Sequence, residues 1–227
     1  MTARTAPLRL AVLASGRGSN LQAILDAIEQ DRLHAQVVGV FSDKPNANAL
    51  RLAHERAIPA QYVDPLAYAD RSAFDTALFA RVDECEPDLI VCAGFMRILS
   101  PAVVEAHAGR MINIHPSLLP RHKGLRTHRQ ALASGDSEHG ASVHLVTAEL
   151  DGGPVLAQAR ICIDSDDTEE SLAARVLRVE HPLLIACLNE WQRGYFRYAA
   201  PQLLYRERVL ECPLDYEYDS DSPLAPF

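Results

Sequence analysis

Long apolar runs are missing from this sequence. No stretch approaches the roughly 20 apolar residues that a membrane-spanning helix needs. The short apolar segment near the start, LRLAVLA, runs directly into SGRGSN, so it reads as a first strand and not as a signal peptide. Positive charge is scarce as well: 22 Lys and Arg against 30 Asp and Glu leave a net charge of −8. That balance argues against broad nucleic-acid binding, while leaving room for anionic ligands held by local basic groups. The five cysteines have no CxxC spacing and fall mostly in apolar runs. They read as reduced, mainly packing thiols of a cytoplasmic chain and not as a disulfide or zinc framework. The nine histidines form no HExxH or comparable metal spacing, so no metal is expected. No GxSxG elbow or cysteine–histidine motif supports a covalent nucleophile. Repeats, low-complexity blocks and domain linkers are absent too. What is present, 227 residues with 48% apolar content, suits one large α/β domain or two small ones.

Continuous apolar segments at 8–14, 37–41, 60–63, 88–94 and 111–114 read as buried strands, and amphipathic helical patterns separate them. This alternation predicts a Rossmann-like, mostly parallel twisted sheet with helices on both faces. The second half differs. ASVHLV (141–146) and PVLAQARICI (154–163) are expected strands joined by TAELDGG, so mixed strands are expected in the C-terminal half. A long helix is expected from about residue 168, with TEES as its capped start and Pro182 kinking or dividing it. YFRYAAPQLLYRERVL is expected to form a hairpin. The expected organisation is a single domain over 1–210, with halves 8–115 and 116–210, then an acidic mobile tail over 211–227.

Three segments follow predicted strands and should open onto the carboxyl edge of the sheet, where such folds bind ligands. SGRGSN (15–20) places small residues before a helix whose free N–H groups suit phosphate. It is neither GxxxxGK[ST] nor GxGxxG, since Leu21 stands at the third glycine position; Asp43 nevertheless leaves an NAD-type reading open, and a plain turn with Ser19 as helix cap is the simplest alternative. GFMRILSP (94–101) is the second segment. In MINIHPSLLP (111–120), Asn113 and His115 are two apart and point to one face of an extended chain before Pro116 and Pro120. This is either a strand end emerging into solvent or an amide and an imidazole delivered to one site. Asp151, in LDGGP, is either a turn residue or an acid that orients and charges a histidine. His144 shares a face with Ser142 and Val146 and reads as a core histidine or one supporting a site. The basic run RHKGLRTHRQ (121–130) is a solvated loop or an anion contact.

Together SGRGSNLQAI, AGFMRILSP, NIHPSLLP, THRQAL, SVHLVTAELDGGPV and VEHPLL resemble the formyltransferase family that uses 10-formyltetrahydrofolate, across roughly residues 8–190. NIHPSLLP with a downstream LDGG is shared across that family, and SGRGSNL resembles its branch acting on glycinamide ribonucleotide. The resemblance implies an enzyme of purine synthesis with small-molecule substrates, acting as a monomer or homodimer, with no nucleic acid or membrane partner. Gly18, Ser19 and Asn20 would hold the ribonucleotide phosphate, and Glu180 would contact the glycinamide end or ribose. Arg71, Met96, Arg97, Ile98, Leu99 and Asn113 would bind folate, with backbone from Thr147 to Asp151 facing the pteridine. Asn113, His115 and Asp151 would be the catalytic set, with His115 kept protonated by Asp151. The chain departs from the family pattern at Lys123, Arg126 and Ala148. Rival expectations are a formyltetrahydrofolate hydrolase, a formyltransferase with another amine acceptor, a non-catalytic folate binder, and a nucleotide- or NAD-binding module. The hydrolase and the transfer-RNA relative usually carry extra domains for which this chain is expected to have no room.

Overall fold

A computed structural model of the chain describes residues 6–217. The first half alternates as its pattern predicts: β1 (Leu8–Leu13), α1 (Ser19–Glu29), β2 (Ala35–Ser42), α2 (Asn48–Glu55), β3 (Ala60–Tyr62), α3 (Arg71–Asp83), β4 (Leu89–Cys92), α4 (Pro101–Ala106) and β5 (Met111–His115). These five strands pair in parallel, with β1 between β2 and β4. Then come α5 (Thr127–Ser134), β6 (Glu138–Leu145), β7 (Val155–Cys162) and α6 (Glu169–Gln192). β6 runs antiparallel to both β5 and β7. The chain continues through β8 (Phe196–Ala199), β9 (Gln202–Tyr205), β10 (Arg208–Val209) and β11 (Leu214–Tyr216). The main sheet has eight strands in the order β11-β7-β6-β5-β4-β1-β2-β3, and β8 to β10 form a separate antiparallel sheet. The expected Rossmann-like fold with mixed C-terminal strands is therefore the observed one.

The apolar strands are continuous because both sheet faces are covered. Leu8, Leu10 and Val12 of β1 pack with Leu21, Ile24 and Leu25 of α1, with α2 and with α6. Ala11 and Leu13, pointing the other way, pack with Phe74, Leu78 and Val82 of α3 and with Val103 and Val104 of α4. The alternating face of one strand thus feeds two cores. Strand order reverses between β1 and β4, since β2 and β3 build to one side and β4 and β5 to the other. The reversal opens a crevice beyond the strands' carboxyl ends, the position favoured for ligands in such sheets.

Two expectations need correction. Helix α6 is continuous over 24 residues with Pro182 inside it, so the proline does not divide it. Val179, Leu183 and Leu184 are buried on either side of Pro182, and this packing against the sheet holds the helix through the missing N–H donor. The region expected to be a tail from 211 is also not all tail: Leu214–Tyr216 pairs in parallel with β7, and Tyr216 is buried. The rest of that expected tail, 218–227, lies outside the described residues.

Helix α6 starts with the reciprocal cap expected from TEES: the Ser171 N–H donates to Thr168 Oγ1 at 3.2 Å and the Thr168 N–H to Ser171 Oγ at 2.9 Å. A Thr168→Ala variant should lose about 1 kcal/mol of stability in urea unfolding. Its far-UV circular dichroism should stay at the wild-type level, because the cap lies at the amino end of α6 and faces solvent.

Candidate active site

The crevice is assembled from loops that leave β1, β4, β5 and β6. After β1, residues 15–18 turn into α1. Gly18 has φ +71 and lies against α2, so an added Cβ would sit 3.0 Å from Ala49 Cα. Only glycine satisfies both the left-handed backbone and this close approach. No side chain caps α1; Gly18, and not Ser19, precedes the helix. The first internal bond runs from the Gln22 N–H to Gly18 O at 2.8 Å, which leaves the N–H groups of Ser19, Asn20 and Leu21 outside the helical ladder. Asn20 is buried and donates from Nδ2 to Glu180 Oε1 at 2.7 Å. Burial pushes the Glu180 carboxyl up, against the Asn20 hydrogen bond and the Arg17 charge. Asn20 Oδ1 is buried without a hydrogen-bond partner.

Ser15 ties this loop to the one after β4. Its N–H donates to Gly94 O at 3.0 Å, its Oγ donates to Asp43 Oδ1 at 2.6 Å, and that Oγ accepts the Met96 N–H at 2.9 Å. Arg97 stands 3.9 Å from Asp43 Oδ2 and 4.6 Å above the Phe74 ring. Asp43 is therefore buried and engaged by its neighbours, which removes the free strand-end acid that an NAD reading needs. A cleft lies beside this loop. Cys92, Leu99, Val104 and Val146 make it apolar, while Asn113, His144, Asp151 and residues 147–150 supply polar groups. Arg97, Ile98 and Leu99 line it. Met96 is 67% exposed and Arg71 opens α3; neither is part of the lining. The departure at Ala148 lies in the cleft wall, and Lys123 donates to Glu149 of that wall at 2.8 Å.

Asn113 and His115 lie at the carboxyl end of β5, opposite His144 and Ser142 of β6. His144 Nδ1 donates to Leu145 O at 2.9 Å, so in the neutral ring Nε2 accepts from Asn113 Nδ2 at 3.1 Å. The second N–H of the Asn113 amide remains available to a ligand. Asp151, at φ +47, accepts the Gly124 N–H at 2.8 Å through Oδ2. The same oxygen is 3.6 Å from His115 Nδ1, and Oδ1 is 3.6 Å from His144 Nε2. His115 Nε2 donates to His122 O at 3.0 Å.

Burial pushes the His115 imidazolium down below its ordinary value. The bond to the His122 carbonyl and the Asp151 charge oppose that shift without reversing it. The expectation that Asp151 keeps His115 protonated is thus corrected for the ligand-free protein: desolvation outweighs the single nearby charge. For Asp151 burial raises the carboxyl, but the approach of His144, the Gly124 hydrogen bond and the nearness of His115 hold it below the usual carboxylate range. The site is a carboxylate, a buried neutral imidazole and an oriented amide. That set can bind an oxyanion and move a proton. Among the described residues no cluster of three or more His, Cys, Asp or Glu side chains is arranged to hold a metal. No helix of the described residues is long and apolar enough to cross a membrane.

The profile of the formyl transferase family matches residues 8–188 of this chain. The chain belongs to the formyl transferase family. A phosphoribosylglycinamide formyltransferase of Escherichia coli is 50% identical over 182 residues, which span 79% of this chain and 86% of that protein. The solved structure of a phosphoribosylglycinamide formyltransferase from Coxiella burnetii, in complex with CHES, superposes with a TM-score of 0.89 at 42% identity. That likeness covers 93% of this chain and 100% of the other. A formyltetrahydrofolate deformylase from Pseudomonas putida is also similar, with a TM-score of 0.80 at 27% identity, covering 90% of this chain and 72% of that one.

For this formyl transferase, sequence reasoning missed the contact of His144 with Asn113 and the pairing of His122 with Asp136. The first had a signal in the alternating SVHLV strand, but its register against β5 is a tertiary fact. The second had none beyond a basic, histidine-bearing loop. At the amino end of α1, Gly18→Ala should cost about 1–2 kcal/mol in urea unfolding. Gly16→Ala is the control: its added Cβ meets nothing within 4 Å, and it should change stability far less.

Proposed function

We propose that this formyl transferase moves the formyl group of 10-formyltetrahydrofolate onto the amine of glycinamide ribonucleotide. The observation that carries the reading is that Asn113 and Asp151 line one apolar cleft with His115 3.6 Å from Asp151, in a chain whose first helix starts without a side-chain cap. The cleft fits a flat folate ring: it has an apolar floor, and the backbone of residues 147–151 offers polar edges. Arg97, Ile98 and Leu99 border it. Met96 and Arg71 lie outside the lining and serve, on this reading, the exposed end of the folate. Gly18, Ser19 and Asn20 hold the ribonucleotide phosphate at the start of α1. Glu180, joined to Asn20, receives the sugar or glycinamide portion. Similarity to phosphoribosylglycinamide formyltransferases favours this acceptor over water, the acceptor in the deformylase reaction. The substrates are small molecules, and the protein works in the cytoplasm.

The chemistry follows from the charge states. The acceptor amine attacks the formyl carbon, and the carbonyl electron pair moves onto oxygen. Asn113 donates its free amide N–H to that oxyanion. Neutral His115 takes the proton that the amine nitrogen must lose, and Asp151 stabilises the imidazolium so formed. The imidazolium then delivers the proton to the folate nitrogen as its bond to carbon breaks. A donor aimed at the developing oxyanion contributes about 3–4 kcal/mol to the barrier, and positioned proton transfer about 10²–10⁴-fold in rate.

Purified protein supplied with 10-formyltetrahydrofolate and glycinamide ribonucleotide should give formylated ribonucleotide, read by mass spectrometry, and folate deformylation that depends on the acceptor. Deformylation without acceptor would overturn the reading in favour of a hydrolase. His115→Ala should lower kcat by about 10²–10⁴-fold with the fold intact by circular dichroism. The pH profile has a defined sign. Turnover needs neutral His115, so it falls as pH drops through a value below the ordinary histidine range. The Asp151 charge raises that value, so Asp151→Asn should move the acid limb to lower pH while reducing kcat.

A further inference from the structure

We propose that His122 and Asp136 are positioning residues: by anchoring the loop after β5, they hold the His122 carbonyl on His115 Nε2 and so make Nδ1 the nitrogen of His115 that moves the proton. This rests on the catalytic reading above and assigns the working atom within it. The geometry points to it through groups that can only accept. A backbone carbonyl has no proton, so the 3.0 Å contact with His122 O requires the hydrogen to be on His115 Nε2. Nδ1 then carries the lone pair, 3.6 Å from Asp151.

Two acceptors compete for the one proton of the neutral ring. Asp151 draws it to Nδ1 and the His122 carbonyl draws it to Nε2. The hydrogen bond on one ring nitrogen decides the state of the other. If the carbonyl moves away, the carboxylate wins, and the ring turns into the Nδ1–H form whose free lone pair faces the wrong side. The position of His122 O therefore matters, and the backbone does not hold it cheaply. His122 has φ +54, in the left-handed region that is disfavoured for a residue with a Cβ. The side chain supplies the anchor. His122 Nε2 is 2.6 Å from Asp136 Oδ2, across the turn that joins α5 to β6. A carboxylate accepts only, so His122 donates.

The surroundings keep Asp136 ionised. Its hydrogen bond from His122 leads, and Arg121, 3.4 Å away, adds to it, holding the carboxyl below the usual range. From β6, His139 faces the His122 ring at 6.1 Å between centroids, and its own value is pushed down to about 4 by burial. From α5, His128 meets His139, with 3.1 Å between Nδ1 and Nε2, and burial pushes it down as well. Burial thus disfavours a charge on either of these two histidines beside Asp136.

The test combines kinetics with ¹⁵N NMR of histidine-labelled protein, recorded above the titration of His115 and assigned with His115→Ala. Wild type should show neutral His115 protonated on Nε2. In Asp136→Ala the ring should shift toward the Nδ1–H form, with kcat lower by about 10–100-fold and KM for each substrate within about threefold. Asp136→Asn keeps an acceptor for His122 and should lose less. His122→Asn tolerates the left-handed backbone but does not reach Asp136; it should repeat the Asp136→Ala result, and it serves if that variant fails to fold. An unchanged Nε2–H ring in the folded variant overturns the proposal, whether or not kcat falls. Normal turnover in His115→Ala would instead sink the catalytic reading, and the NMR comparison would still decide the tautomer.

Discussion

One carboxylate holds the site together. Asp151 accepts a backbone N–H from Gly124 and lies within 3.6 Å of both His115 and His144. These contacts join the end of β5, the end of β6, and the loop before α5. Asp151 itself sits in a left-handed conformation, so the LDGG turn brings its carboxylate back over the sheet edge. Any rearrangement that removed it would take the carboxylate away from two buried imidazoles and break the Gly124 hydrogen bond to the loop before α5.

The protonation of this group is set by competition between burial and charge. Two imidazoles share one anion, and His115 is 6% exposed. Removing a cation from water at such a depth is unfavourable, and one carboxylate with partial hydrogen bonding does not offset it. The resting imidazole is neutral. Glu180 follows related logic at the other end of the crevice, where burial and the Asn20 hydrogen bond act in opposite directions on its carboxyl.

The two halves of the crevice are joined mechanically as well as by proximity. The reversal of strand order places the loops after β1 and β4 side by side, and Ser15 bonds to both Asp43 and Met96. The loop beside the phosphate-type helix start and the loop beside the apolar cleft thus share one hydroxyl. The apolar faces of β1 feed the cores above and below the sheet, so this junction rests on a strand packed from both sides.

Much of this was legible before any coordinates. Strand–helix alternation, the parallel first half, the capped start of α6, and the placement of SGRGSN, GFMRILSP and NIHPSLLP on one edge all follow from patterns spanning a few residues. Asn113 and His115 were visible as a polar pair ending a buried strand, and Asp151 as an acid in a glycine turn. The corrections share a cause. Pro182 leaves α6 undivided because packing along both flanks exceeds a local preference, and residues 214–216 join the sheet because β7 offers an open edge. His115 is neutral because its burial depends on segments far away in the chain. His144 meets Asn113 through strand register, and His122 meets Asp136 across a turn. The sequence by itself determined the elements, the edge they open onto and which polar residue types that edge presents, because those depend on short-range periodicity and residue type. Only the tertiary structure decided protonation, tautomer and cleft lining, because these depend on how much water is removed and on which distant acceptor comes within 3 Å or so.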